Sequence, residues 1–352
     1  MTSHDLTVMG GGIFGLSCAW EAARRGARVR LIERDRIGAG SSGGLVGALA
    51  PHVPENWNDK KQFQLDSLLQ AESWWSDIAA AGGIDPGYLR SGRLQPIPDD
   101  RALHNARARV AEAATLWQGR ATWQVIPATG AAWEPHSPTG WLIHDTLTAR
   151  LSPRRAAAAL TAALRAKGVT VTEGSTATPS GPTLWATGFQ GLQDLSAQFA
   201  QPMGAGVKGQ AILLHHDARA LPQLFADALH IVPHADGTTA IGSTSETDWT
   251  DPAATDAQLD DILTRARAAL PVLRDAPVID RWAGIRPRAR SRAPMLGAWP
   301  DRPEHFIANG GFKIGFGMAP KVATTMADLI LSGLDRIPPG FRVEANLQTR
   351  GK

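Results

Sequence analysis

The stretch LTVMGGGIFGLSCAWEAARRGARVRLIERD, residues 6–35, contains two short apolar runs separated by a helical pattern. Leu6 to Met9 forms the first run and ends at three consecutive glycines. From Ile13 to Arg25, apolar side chains recur at the spacing of one helix face, and Gly26 ends the pattern. Val29 to Ile32 forms the second run. Because two parallel strands joined by a helix form a right-handed unit, we predict a strand–helix–strand unit here.

The turn inside this unit carries the pattern G-x-G-x-x-G at Gly10, Gly12 and Gly15. The first glycine permits a tight turn, the second lets the backbone approach a pyrophosphate, and the third lets helix and strand pack closely. The N-terminus of a helix favours such an anion. Glu33 ends the second strand, where an acid can accept hydrogen bonds from ribose hydroxyls. A purely structural glycine turn is the alternative, but the strand, helix and acid together favour a dinucleotide site.

The segment IGAGSSGGLVGALAPH, residues 37–52, follows the acid and consists mostly of small residues. Such a backbone suits FAD better than NAD, because it must pass between the pyrophosphate and the isoalloxazine ring. Ser41 and Ser42 can offer hydroxyl and amide groups to phosphate, and Gly43 to Ala48 have no bulk to obstruct the ring. A flexible linker is the alternative, but three large apolar residues within the segment argue against it.

Residues 10–52, GGGIFGLSCAWEAARRGARVRLIERDRIGAGSSGGLVGALAPH, resemble the N-terminus of the D-amino-acid oxidase family of FAD enzymes, which includes glycine oxidase, D-amino-acid dehydrogenase and sarcosine oxidase. The resemblance implies an α/β fold, α+β overall. It implies a Rossmann-like FAD-binding domain with a parallel sheet, and a substrate domain of helices on a mostly antiparallel sheet. The residues implied to bind FAD are Gly10, Gly12, Ile13, Phe14, Gly15, Glu33, Arg34, Ser41, Ser42, Gly43, Gly47, Ala48, Ala177, Ala186, Thr187, Gly188, Gly311, Phe312, Lys313, Ile314 and Gly315.

The same resemblance implies discontinuous domains. We expect residues 1–55, 146–205 and 283–340 in the FAD-binding domain, and residues 56–145 and 206–282 in the substrate-binding domain. The family usually inserts a small β-meander before TLWATG, residues 183–188. Only about ten residues separate the two flanking strands here, so we expect no meander.

WAGIRPRARSRAPMLG, residues 282–297, carries four arginines. The stretch resembles the family's C-terminal signature, in which the first arginine lies over the flavin and pairs with the substrate carboxylate. By position that residue is Arg286, whose planar fork suits two hydrogen bonds to a carboxylate. We expect Arg288, Arg290 and Arg292 to lie in a solvated turn. The family often has Asp-Gly where Ser291–Arg292 stands here, which could alter the turn and admit a more acidic substrate.

Three further residues are candidates for the active site. Lys313, within GGFKIGFGMAP, could stabilise negative charge at the pyrimidine end of the flavin together with a helix N-terminus, or be an ordinary exposed lysine. His230 falls where some family members place an aromatic residue that holds the carboxylate, but a solvent-edge strand position explains it equally well. His52 could face the flavin or be structural.

The composition limits the other possibilities. The 352 residues carry a net charge of only +3, and their basic residues form no long stripe, so we expect no nucleic-acid partner. Cys18, the only cysteine, is expected to be a buried packing residue, and no disulfide or metal site is expected. FAD is expected to be bound non-covalently. With no apolar run long enough to span a membrane and no signal peptide, the cytoplasm is the expected location. The oligomeric state stays open.

These observations predict a FAD-dependent oxidase or dehydrogenase that acts on the C–N bond of a small amino acid or secondary amine. Hydride would pass from the substrate Cα–H to flavin N5, and the imine would hydrolyse. Oxygen or a quinone would accept the electrons. Two alternatives stay open. One is a flavoprotein that acts on an aminomethyl-modified tRNA base, with the arginines contacting phosphate. The other is a FAD-binding subunit of a larger dehydrogenase complex.

Overall fold

The computed structural model describes residues 4–347, which form two large β-sheets, a two-stranded ribbon and the helices that cover them. The strands are β1 (Leu6–Met9), β2 (Val29–Ile32), β3 (Ala48–Leu49), β4 (Arg93–Pro96), β5 (Trp123–Pro127), β6 (Trp141–Asp145), β7 (Ala149–Arg150), β8 (Thr170–Thr172), β9 (Thr183–Trp185), β10 (Gly204–Leu214), β11 (Gln223–Ala226), β12 (Leu229–Pro233), β13 (Thr239–Gly242), β14 (Val278–Ala289), β15 (Met295–Ala298) and β16 (His305–Asn309). The α-helices are α1 (Ile13–Arg24), α2 (Asp59–Gly82), α3 (Asp100–Trp117), α4 (Pro153–Ala166), α5 (Gly188–Gln198), α6 (Ala257–Ala269) and α7 (Gly315–Ser332).

The first sheet has the strand order β15-β16-β9-β1-β2-β8. It is parallel except for β15, which runs antiparallel to β16 at the edge. Its central strands are apolar and buried, as expected of a parallel sheet that helices cover on both faces. Helix α1 connects β1 to β2 and packs against α4 and α7. The predicted strand–helix–strand unit is therefore present.

The second sheet has the order β14-β10-β13-β12-β11-β4-β6-β5 and is antiparallel except where β11 meets β4. Its inner face buries Ile212, Leu224 and Ile241 together with apolar residues of α6, such as Leu259. This mixed architecture confirms the predicted fold class.

The two sheets draw on alternating parts of the chain. Strands of the first sheet lie within residues 6–32, 170–185 and 295–309, and those of the second lie within residues 93–145 and 204–289. The expected domain division stays a prediction, and two elements do not respect its bounds. Strand β14 runs across the expected boundary at residue 283. Helix α2, expected in the substrate domain, packs against α4 and α7 because its apolar face completes the core under the first sheet.

Two connections also bear on the sequence predictions. Residues 173–182 join β8 to β9 without any strand, as expected from the short separation. GYLRSGRLQPIP, residues 87–98, has the apolar and turn residues of a strand pair but contains only β4 and one isolated bridge from Leu89 to Arg150. The first half of that stretch cannot pair as a hairpin with β4, because β4 lies between β11 and β6.

Helix α7 with its preceding turn is the one segment within residues 4–347 that is long and apolar enough to cross a membrane by composition. Half of that apolar window, 50%, is buried inside the molecule. Val322 and Met326 are fully buried, and the helix packs against α1 and α2. Its apolar composition is therefore explained by core packing.

Candidate active site

The glycine turn brings three backbone segments into close contact. A Cβ on Gly10, whose φ is +110°, would lie 2.4 Å from the carbonyl oxygen of Ala186 at the end of β9. A Cβ on Gly15 would lie 1.9 Å from the carbonyl oxygen of Gly10. Backbone atoms cannot yield to such contacts, so both glycines are needed to bring the start of α1 next to the ends of β1 and β9.

The N-terminus of α1 lies against the serine loop that follows β2. Gly12 caps the helix without a side-chain hydrogen bond, and the Ile13 N–H donates to Ser42 Oγ at 2.9 Å. Glu33 at the end of β2 accepts from the Gly11 N–H at 2.6 Å through Oε2. The helix amides, a hydroxyl and a carboxylate thus meet at one point, which is the arrangement that a pyrophosphate and its ribose require.

Two adjoining cavities extend from this point. The first passes between the start of α1 and the glycine turn before α7, and the second, of about 370 Å³, opens toward the second sheet. They share Ile13, Ser41, Ser42, Phe312 and Gly315, so they form one continuous trough. The trough begins at the pyrophosphate-type turn and is walled by small residues of the serine loop. These features fit FAD.

The structure brings most of the predicted FAD residues to this trough. Those that line it are Gly12, Ile13, Phe14, Ser41, Ser42, Ala48, Ala186, Gly188, Gly311, Phe312, Lys313 and Gly315. Gly10, Gly15 and Glu33 shape the turn. Gly43 and Gly47 allow the loop to pack closely against neighbouring backbone. A Cβ on Gly43 would lie 2.3 Å from the Gly38 oxygen, and a Cβ on Gly47 would lie 1.9 Å from the Leu151 oxygen.

Four other predicted FAD residues lie outside the lining of the two cavities. Arg34 is exposed and pairs with Asp35. Ala177 is exposed in the 173–182 loop. Thr187 precedes α5, and Ile314 packs against the core beneath the first sheet. Their contact with FAD stays a prediction.

The larger cavity, which we call the substrate cavity, joins the flavin-side loop to the second sheet. Its walls include the aromatic residues Phe225 and Trp282. Its polar side chains include His230, Ser243, Arg286 and Lys313. The remaining lining residues are Ile13, Ser41, Ser42, Gly44, Leu45, Val46, Ala48, Pro153, Ala211, Ala228, Phe312, Gly315 and Phe316. Aromatic walls with a few convergent polar groups are typical of a small-molecule site.

Arg286 enters this cavity from β14. Its side chain is buried, with the residue 8% exposed, and donates from Nη2 to Ser243 Oγ at 2.6 Å and from Nη1 to the Thr244 oxygen at 3.2 Å. Burial lowers the pKa of the guanidinium to about 10, so it stays charged at neutral pH. The guanidinium lies directly over Gly209 of β10, where a Cβ would fall 1.7 Å from Nη2.

Sequence reasoning missed Gly209, Ser243 and Thr244 as the residues that hold Arg286. The antiparallel pairing of β10 with β13 and β14 brings these three residues next to Arg286. That register brings together residues far apart in the chain, and only the glycine in VKGQ, residues 207–210, offered a signal of close approach.

Lys313 and His230 face the same cavity. Partial burial and the charge of Arg286 hold the pKa of Lys313 below its usual range. Burial, followed by the charges of Arg93 and Lys313, lowers the pKa of His230 to about 3, so the imidazole is neutral. Its Nδ1 is buried and has no hydrogen-bond partner among the residues that the structure describes.

His52 does not line either cavity. Its backbone N–H and its ring Nδ1 both contact the Gln64 amide oxygen, and burial lowers its pKa. These contacts favour the structural interpretation of His52. Cys18 is buried in α1, and burial raises the pKa of its thiol, as expected of a packing residue.

Arg288, Arg290 and Arg292 were all expected in a solvated turn, and the structure places two of them there. Arg288 belongs to β14 and lies over the Phe312 ring, 5.6 Å from its centre. Arg290 donates to the Asn346 oxygen at 3.3 Å. Arg290 and Arg292 are exposed in the turn that follows β14, as expected, and Arg292 has a φ of 60°. The prediction was wrong for Arg288 because β14 extends to Ala289. Across residues 4–347, no group of three or more His, Cys, Asp or Glu side chains could hold a metal ion.

Comparison with known proteins agrees with this geometry. The family model for FAD dependent oxidoreductase (DAO) matches residues 5–329. The chain is 27% identical to the bifunctional protein ThiO/ThiG of Nostoc sp. over 94% of its own length and 53% of that protein. It therefore spans about half the length of those relatives. It is 24% identical to glycine oxidase of Geobacillus kaustophilus, over 93% of each chain.

Solved structures show the same fold. The crystal structure of glycine oxidase from Geobacillus kaustophilus superposes with a TM-score of 0.81 at 23% identity, covering 99% of this chain and 100% of that one. Iminodiacetate oxidase from Chelativorans sp. BNC1 gives 0.83 at 20% identity, covering 96% and 98%. The fold class and the FAD cofactor predicted from the sequence are thus confirmed. Since the family model spans nearly the whole chain, the protein belongs to the DAO family of FAD-dependent oxidoreductases.

Proposed function

We propose that the protein oxidises the C–N bond of a small amino acid or secondary amine that carries a carboxylate. The observation that supports this function is the position of Arg286. It is a buried, charged guanidinium in a cavity that continues the FAD trough. The glycine oxidases among the relatives agree with an amino-acid substrate.

Arg286 would bind and orient the substrate. Two of its five N–H groups are used by Ser243 and Thr244, and the other three are available to a carboxylate. Two bonds from a planar fork fix both the position and the rotation of the bound acid. A substrate held in this way presents its Cα–H in a single orientation, and orientation of this kind can supply much of the rate enhancement.

FAD bound in the trough would supply the two-electron chemistry, and the oxidised imine would then hydrolyse. The protein's own contribution is to exclude water and to set the protonation of the site. Phe225 and Trp282 wall the cavity, and a dry site strengthens the contact between Arg286 and a carboxylate. His230 is neutral, so it adds no further positive charge to a cavity that already holds Arg286 and Lys313. No protein general base is required when the amine enters unprotonated.

FAD would be held non-covalently, with Arg286, His230 and Lys313 as the residues nearest the reaction. Oxygen or a quinone would reoxidise the cofactor. Packing of α7 within the core is consistent with the cytoplasm as the location. The tRNA alternative stays a prediction: Arg288 lies over the Phe312 ring, whereas Arg290 and Arg292 are exposed.

An anaerobic titration of the purified holoprotein tests the proposal. Glycine, sarcosine, D-amino acids and N-alkyl amino acids are added one at a time, and flavin reduction is followed by the loss of its visible absorption. We expect at least one of them to bleach the flavin, and Arg286→Ala to weaken that reaction while retaining FAD. A yellow protein that none of these compounds bleaches would refute the proposed activity.

A further inference from the structure

The substrate cavity has an unbalanced charge. Its lining includes two cationic side chains, Arg286 and Lys313, and within the described residues it includes no aspartate or glutamate. The two cations are close enough for the charge of Arg286 to lower the pKa of Lys313. The cavity therefore holds two positive charges that no lining carboxylate neutralises.

The acidic side chain whose charge acts on Arg286 is Glu246, and it forms an ion pair with Lys208. Glu246 is buried, with Oε2 3.6 Å from Lys208 Nζ, and its Oε1 accepts from Gln210 Nε2 at 3.1 Å. Glu246 thus balances Lys208 and contributes only at longer range to Arg286. It does not neutralise the second cation of the cavity.

Lys313 has no hydrogen bond or ion pair to any other residue in the part of the chain that the structure describes. Its Nζ lies 5.7 Å from the centre of the Phe312 ring, and it interacts with Arg286 and His230 only through the charge of its ammonium. The FAD pyrophosphate has its own binding groups at the start of α1 and on Ser42. Lys313 lines the larger, substrate side of the trough and does not line the smaller cavity beside that turn.

A single carboxylate can neutralise only one of these charges. Two cations brought together in a partly buried site raise each other's energy, and an anion beside each of them removes that cost. Arg286 presents a planar fork, whereas Lys313 presents a compact point charge on a flexible stem. The pair can therefore hold two separate carboxylates of one molecule, with the fork taking the first and the ammonium the second.

We propose that the substrate is an amine that bears two carboxylates, one bound by Arg286 and the other by Lys313. This inference rests on the proposed C–N oxidation and names its substrate class. The second carboxylate can sit on the nitrogen substituent, as in iminodiacetate, or on the side chain, as in D-aspartate. Lys313 is then the specificity-determining residue for the second acidic group.

Matched substrate pairs test the inference. We compare kcat/KM for iminodiacetate with sarcosine, and for D-aspartate with D-alanine, in the holoenzyme. We expect the dicarboxylate of at least one pair to be favoured about tenfold or more, and the pair that shows this preference locates the second carboxylate. Lys313→Met should abolish the preference, and Lys313→Arg should retain most of it. Lys321→Met, on the same helical segment but paired with Asp66, is the matched control and should leave the preference unchanged.

A binding measurement separates this role from a role toward the flavin. Malonate and acetate, which carry no amine, are titrated against the oxidised holoenzyme, and their binding is followed by the flavin spectrum. We expect Lys313→Met to weaken malonate binding about tenfold more than acetate binding. An equal loss for both, or an equal fall in kcat/KM for every substrate with an altered flavin potential, would place Lys313 at the flavin and overturn the inference.

The outcomes also separate the inference from the proposed function. Turnover of sarcosine or D-alanine with no preference for the dicarboxylates would overturn the inference and leave C–N oxidation standing. Absence of turnover with these four compounds overturns the inference, and absence of flavin reduction by the whole panel described above, in a protein that carries FAD, overturns the proposed function as well.

Discussion

Gly209→Ala should inactivate the site without removing any functional group. The new Cβ would lie 1.7 Å from Nη2, 2.0 Å from Cζ and 2.4 Å from Nη1 of Arg286. Ordinary separation of non-bonded carbon atoms is about 3.5 Å, so the guanidinium must move by about 2 Å. That movement breaks its hydrogen bonds to Ser243 and Thr244. Because the displaced group is the end of a flexible side chain, the sheet itself should persist.

A misplacement of about 1 Å can cost about a hundredfold in rate. We therefore expect Gly209→Ala to lower kcat/KM for a carboxylate substrate by about 100-fold, which corresponds to about 2.7 kcal/mol of transition-state stabilisation. The FAD content and the melting temperature should stay close to those of the parent protein. Gly340→Ala is the matched control, since Gly340 is exposed and a Cβ there would meet no atom within 4 Å.

The assay is steady-state kinetics on Gly209→Ala, Arg286→Ala and the double variant, with flavin absorbance reporting FAD content. If Gly209 acts through Arg286, the double variant should be no worse than Arg286→Ala alone. A Gly209→Ala protein within threefold of the parent would refute the assigned position of Arg286. Fully additive losses would refute the coupling between the two residues.

Three other predictions concern the cofactor turn and the core. Gly15→Ala places a Cβ 1.9 Å from the Gly10 oxygen, so we expect loss of bound FAD and a lower melting temperature, measured by flavin absorbance and calorimetry. Ser42→Ala leaves the buried Ile13 N–H without its acceptor and should cost about 1–3 kcal/mol in the free energy of unfolding of the apoprotein, measured in urea. Burial lowers the pKa of His234 to about 4, so the unfolded chain binds a proton there that the folded chain does not. The free energy of unfolding should fall by up to about 3 kcal/mol as pH drops from 6.5 toward 4, and His234→Gln should remove that part of the dependence; an unchanged pH dependence in the variant would contradict the assignment.

Local sequence was enough for the FAD-binding turn. Gly10, Gly12, Gly15 and Glu33 lie within one strand–helix–strand unit, so their contacts follow from chain connectivity and from the few ways in which glycine permits a tight turn. Arg286, the proposed carboxylate-binding residue, was also identified, although through resemblance to a family signature. Its surroundings were not. The extension of β14 through Arg288 was missed because the arginine-rich pattern is typical of solvated turns.

Long-range pairing created the rest of the site. The β10–β14 register places Gly209 under the Arg286 guanidinium, and the β10–β13 pairing brings up the Ser243–Thr244 segment. Strand register depends on which residues of distant segments meet, and periodicity along one strand carries no such information. The charge balance of the substrate cavity has the same origin, because Lys313 and Arg286 come from separate elements and their nearest acid, Glu246, turns toward Lys208. The cofactor turn can thus be predicted from the sequence because short-range stereochemistry determines it. The chemistry of the substrate cavity arises only when distant strands pack together.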